Sequence, residues 1–238
     1  MVDRVRLYLV RHGHVQYFDE QSRPINPKYA PLSAEGRAQI QLLSEQLAAE
    51  IQFDQAYSST MPRSIETANL LLQSQQQKNL ISLDDLREIK AGRLKEITTQ
   101  DAKTHISYAY QQQTFGLKQF LNGETWIDFQ NRIIPCIQNI VQQHLGQDIL
   151  ISSHDAVNRL LIAWAYDQLQ HDLNVQEQHY GALNIIDIFI ENELIIEKRV
   201  LLQNYTPYNL FKRHLTTNAV EDVYQMYLKT NGFQEKTP

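Results

Sequence analysis

The run Asp148-Ile149-Leu150-Ile151-Ser152-Ser153 constrains the fold more than any other stretch of this chain. Its apolar centre lacks the in-out alternation of a strand with one wet face, so it reads as a strand buried on both faces. Such a strand needs a layer of structure on each side, the arrangement of a mostly parallel sheet between helices. The rest of the chain supplies those layers. Val5 to Val10 is a β-favouring run that stops at Arg11-His12-Gly13. After a polar loop with Pro24, Pro27 and Pro31, Ser33 stands where an N-cap belongs, with Glu35 in the first turn. The helix that follows, Ala34 to about Ile51, has Ile40, Leu43, Leu47 and Ile51 at helical spacing.

A short strand at Gln55–Ser58 leads to a helix beginning near Pro62, and Leu80–Leu83 is strand-like. The chain from about Thr98 to Leu145 reads as mainly helical, broken at Asn122-Gly123, and Ala156 to Tyr166 as another helix. Leu183–Ile190 and Leu194–Leu201 form a hairpin around Glu191-Asn192, which adds at least one antiparallel strand. A helix from roughly Val220 to Leu228 closes the chain. No internal repeat is evident, and 238 residues suit one domain with a helical extension from about residue 216. The expected fold class is therefore α/β: three layers, a mostly parallel mixed sheet with helices on both faces, and a helical insertion over the site.

Composition narrows the partners. A net charge of −5 argues against nucleic acid or an anionic membrane surface, so any bound anion must be caught by a local cluster of cations. Cys136 is the single cysteine, which rules out an intramolecular disulfide. About five apolar residues precede Arg11, short of a signal-peptide core, and no run approaches the ~20 apolar residues of a membrane span. The cytoplasm is the expected compartment.

Three segments place cations or hydroxyls just past an expected parallel strand, where open α/β sheets bind ligands. They are Arg11-His12-Gly13, Ser58-Ser59 with Arg63, and His154. Each has an ordinary explanation alone: Gly13 as a positive-φ turn, Ser59 as an N-cap, Arg63 as a solvated cation, His154 as a core histidine. Four coincidences at equivalent strand ends are harder to accept than one site. Guanidinium forks suit phosphoryl oxygens, and a neutral imidazole can attack phosphorus.

Taken in order, Leu9-Val10-Arg11-His12-Gly13, Tyr57-Ser58-Ser59 with Arg63, Thr67 and Ala68, Leu86-Arg87-Glu88 with Gly92, Gly123-Glu124-Thr125 with Arg132, and Ile151-Ser152-Ser153-His154 resemble the histidine phosphatase superfamily, which includes the cofactor-dependent phosphoglycerate mutases. The resemblance implies His12 as nucleophile, Arg11, Arg63 and His154 on the phosphoryl oxygens, and Glu88 as proton donor. It also implies a small phosphorylated substrate, a phosphohistidine intermediate, and no metal or other cofactor. His105, His144, His171, His179 and His214 lack paired metal spacing. The final helix beyond Asn218 is available as a contact for a homodimer.

Several positions depart from the family pattern. Asp155 follows His154 where glycine is common, so it either orients His154 or Arg11 or weakens anion binding. Leu94 and Lys95 replace a frequent Trp and Glu, which makes Lys90–Lys95 basic: a solvated loop, or extra cations for an acidic substrate. His14 replaces a commonly acidic or amide residue. Trp126, Tyr108, Tyr110 and Phe115 are candidates for the substrate mouth or for helix packing. Two rival functions follow, a phosphoglycerate-type mutase and a non-catalytic phospho-ligand binding module. The mutase signature expected soon after the acid is missing; Glu177-Gln178-His179-Tyr180-Gly181 is superficially similar but sits beyond His154 and reads as coincidence.

Overall fold

The computed structural model describes residues 1–21, 23, 25–76, 79–92, 105–174, 177–213, 220–222 and 224–225. Its first half alternates β1 (Asp3–Arg11), α1 (Ala34–Glu50), β2 (Gln55–Ser59), α2 (Pro62–Leu72) and β3 (Leu80–Leu83). The second half contains α3 (Trp126–Gln143), β4 (Asp148–Ser153), α4 (Asp155–Ala165) and a hairpin of β5 (Leu183–Glu191) and β6 (Leu194–Tyr205). The six strands are ordered β3-β2-β4-β1-β5-β6. The first four run parallel, and β5 and β6 close one edge antiparallel. Asn192 and Glu193 both have positive φ, the signature of the two-residue turn that matches strand twist. The turn is thus one residue later than expected.

Strand pleating sorts the core into two layers. Leu7, Leu9, Ile149 and Ile151 pack with Ile133, Ile137 and Leu160 from α3 and α4. Tyr8, Val10 and Leu150 face the other way, onto Ile40, Leu43 and Leu71 from α1 and α2. β4 is buried on both faces, as its apolar run requires: Ile149, Leu150 and Ile151 have no exposed surface. No described helix is long and apolar enough to cross a membrane.

The long helical reading from Thr98 to Leu145 is corrected. Among the described residues of that stretch, the helix is confined to 105–107 and 126–143. Backbone amides of Gln113 and Thr114 go to the Asp172 carboxylate rather than to helical carbonyls. Leu121 and Asn122 have positive φ, and Phe120 N–H closes a turn onto Glu124 O at 3.0 Å. Only then does Thr125 cap α3, its hydroxyl accepting from Asp128 N–H. Residues 93–104, which carry the rest of the expected insertion and Leu94 and Lys95, lie outside the described residues. At the C-terminus, 220–222, 224 and 225 are helical; Leu228 and His214 lie outside the described residues.

Register aligns the chemistry. Arg11 on β1 sits opposite Ser153 on β4, and Ser58 on β2 opposite Ser152. The carboxyl ends of β1, β4 and β2 therefore lie side by side.

Candidate active site

The loop leaving β1 has to pass against α1, and glycine makes that approach possible. A Cβ on Gly13 would stand 2.5 Å from Gly36 O, and one on Gly36 would stand 2.1 Å from His14 O. Gly13 is needed for this close approach and not for a positive φ, since it is absent from the positive-φ glycines. Its N–H is held by Thr67 Oγ1 at 3.3 Å, so α2 fixes the turn that presents His12. Ser64, also on α2, donates to Ser152 O at 2.6 Å and accepts from Ser59 N–H at 3.3 Å. The polar face of one helix thus ties three strand ends together.

Arg11, His12, Arg63 and Glu88 line one cavity of about 570 Å³, with Asp155 on its wall. His154 lies directly beneath, its ring edge-on to His12 with centroids 5.1 Å apart. Every site residue expected from the sequence is therefore gathered at this point. His12 Nδ1–H donates to Gly13 O at 2.8 Å, which leaves Nε2 as the lone-pair nitrogen. Arg63 Nε donates to that Nε2 at 3.1 Å. Burial, then the charges of Arg63 and Arg11, push the His12 pKa well below its ordinary value.

Ser59 does not cap α2; Met61 occupies the cap position, without a side-chain bond. The Ser59 hydroxyl accepts from Met61 N–H at 3.2 Å and is 2.7 Å from His154 Nε2, where it donates. His154 Nδ1 then carries the proton of a neutral ring, and burial lowers its pKa too. That nitrogen and Arg11 Nε are buried with no hydrogen-bond partner. Two unpaired buried donors are costly unless an acceptor arrives, and they suit the oxygens of an anion.

Glu88 faces the opposite electrostatics. It is only partly exposed, and burial followed by the charge of Asp155 raises its pKa to about 7. Oε1 accepts the N–H groups of Ile89 and Ala156, both at 3.1 Å, and the Ala156 N–H also reaches Oε2 at 3.4 Å. Arg132 holds the supporting loop: its guanidinium reaches Arg87 O at 2.7 Å and Glu88 O at 3.1 Å while pairing with Glu124 at 2.8 Å.

Asp155 orients neither His154 nor Arg11 by a hydrogen bond, contrary to the first reading of that position. Its carboxylate pairs with fully buried Arg159 at 2.6 Å and accepts from Tyr110 OH at 3.1 Å. The four-residue spacing on a helix was a legible signal for the Arg159 pair. Tyr180 was missed as well. Its ring lies 4.0 Å from the Arg11 guanidinium carbon, and Gln178 O accepts from the same side chain. Residues 177–181 sit here because β5 runs antiparallel beside β1, a pairing with no local signature. Among the proposed mouth aromatics, Tyr110 lines the cavity, whereas Tyr108 and Phe115 stack on each other and Trp126 packs against Phe120. His14 bonds Ser33 through its ring.

The model of the histidine phosphatase superfamily (branch 1) matches residues 7–197. The chain belongs to this superfamily. It is 28% identical over 171 residues to phosphoglycerate mutase-like protein 4 of Arabidopsis thaliana, covering 67% of this chain and 70% of that one. It is 26% identical over 170 residues to rat (Rattus norvegicus) 6-phosphofructo-2-kinase/fructose-2,6-bisphosphatase 4, covering 70% of this chain but spanning about a third (34%) of that protein. Among solved structures, the α-ribazole phosphatase of Shigella flexneri superposes with a TM-score of 0.62 at 26% identity, covering 84% of this chain and 96% of that one. The superfamily's phosphatases and mutases share the fold, and these relatives carry both kinds of name.

Proposed function

We propose that this histidine phosphatase superfamily member is a metal-independent phosphomonoester hydrolase working through a phosphohistidine on His12. The observation that carries the reading is geometric: His12 and Glu88 line one cavity, and the unpaired donors of Arg11 and His154 lie beside them. His12 is held neutral, and Glu88 keeps its proton up to about pH 7. One is ready to attack and the other to donate.

In the first step the phosphoryl oxygens draw Arg63 off His12 Nε2 and take the free donors of Arg11 and His154. Nε2 attacks phosphorus, the P–O bond to the alcohol breaks, and Glu88 gives its proton to the departing oxygen. In the second step the Glu88 carboxylate takes a proton from water, the resulting oxygen attacks phosphorus, and the P–N bond breaks. Inorganic phosphate leaves with His12 and protonated Glu88 restored. The guanidinium groups offset the charge of the transferring group throughout. The phosphatase names among the relatives support hydrolysis over isomerisation.

His12→Ala is expected to lower turnover of p-nitrophenyl phosphate by roughly 10³-fold or more. Acid quenching of the wild-type protein during turnover should trap acid-labile, base-stable phosphate that the variant lacks. Ordinary turnover by folded His12→Ala would end the mechanism. Conversion of 3-phosphoglycerate to 2-phosphoglycerate with little free phosphate would replace the hydrolase by a mutase.

A further inference from the structure

The phosphoryl end accounts for a small part of the 570 Å³ cavity, which is large enough for a much bigger molecule. Ile106, Tyr110, Phe120 and Leu121 also line it, each at most 6% exposed. Val220 and Tyr224, from the helical residues at the C-terminus, line the same cavity and pack on the same core cluster. Four of these six side chains carry no polar atom, and the Tyr110 hydroxyl is committed to Asp155. A polyhydroxylated or carboxylated alcohol would leave water without replacement hydrogen bonds against such a wall. An apolar ring would gain from the same transfer. Lys28 and Lys90 also line the cavity, but both are exposed.

We propose that the substrates are phosphomonoesters of alcohols bearing an aromatic or comparably bulky apolar group, seated on this wall. Val220 and Tyr224 lie beyond the span 7–197 that the superfamily model matches. The inference rests on the hydrolase reading for the phosphate end of the cavity, but its test does not need turnover.

Ethylphosphonate and 3-phenylpropylphosphonate carry the same anionic head and cannot be hydrolysed at their P–C bonds. Calorimetry with the full chain should find the phenylpropyl compound bound at least about tenfold more tightly. The corresponding phosphate esters, whose alcohols are similarly basic, should differ by a similar factor in kcat/KM, mainly through KM. Tyr224→Ala should reduce both ratios several-fold, and Tyr224→Phe should retain them, because the ring and not the hydroxyl makes the contact. Equal affinities for the two phosphonates, or tighter binding of 2-carboxyethylphosphonate than of the phenylpropyl compound, would overturn the proposal. An unchanged ratio in Tyr224→Ala would remove the C-terminal segment from the seat. The tenfold phosphonate preference without turnover of either ester would uphold the seat and defeat only the hydrolase reading.

Discussion

In the proposed mechanism, Glu88 and Asp155 form the pair on which the chemistry depends most sensitively. Asp155 is the largest electrostatic contributor, after burial, to a Glu88 pKa of about 7. If protonated Glu88 is the acid, kcat/KM falls as pH rises through that value. Asp155→Asn keeps an acceptor for Arg159 but removes the charge, so the alkaline limb should move to lower pH; an unmoved limb would detach Asp155 from the acid. Stability follows the same titration. Between the ordinary carboxyl value of 4.5 and about 7, the folded protein holds a proton that the unfolded chain has released. Stability is therefore lost as pH rises across this window. Glu88→Gln should be more stable than wild type by roughly 3 kcal/mol at pH 8 and about equal at pH 4. Thermal melts at the two pH values check the sign, and equal melting differences at both would contradict it.

At the scale of elements, two short pieces of structure position the groups of the proposed mechanism. The face of α2 carrying Arg63, Ser64 and Thr67 binds the ends of β1, β2 and β4, and the Arg132–Glu124 pair fastens the Glu88 loop to α3. Arg132 does not itself line the cavity; it holds the backbone of Arg87 and Glu88, which do. Arg132→Met should therefore slow single-turnover phosphorylation about tenfold or more with alkyl phosphates and much less with p-nitrophenyl phosphate, whose leaving group needs no proton. Equal losses for both would mean that Arg132 serves stability alone. The same scale explains why the expected helix is absent from the described residues 108–125. Helical propensity there is outweighed by amide bonds to Asp172, fifty-eight or more residues away in the chain.

For the molecule as a whole, charge stabilisation at the site is assigned to Arg11, Arg63 and the donors around them, against a net charge of −5. Turnover should survive EDTA; loss on chelation, restored by one added metal, would point to a different chemistry. Much of this architecture was legible residue by residue. Burial on both faces of β4 follows from its unbroken apolar run, and the placing of Arg11, Ser59 and His154 at or just past strand ends follows from where the β-favouring runs stop. These are local properties, set by side-chain type and period 2 or 3.6 along the chain. What the sequence by itself determined, then, was the layered α/β fold and the arginines, histidines and Glu88 that meet at one cavity. Tertiary structure alone decided that Tyr180 stacks on Arg11, that Asp155 pairs with Arg159 while raising Glu88, and that Val220 and Tyr224 face the cavity. Each of those depends on strand order or on contacts between distant segments. Burial and through-space charge come from such contacts, and local periodicity carries no record of them.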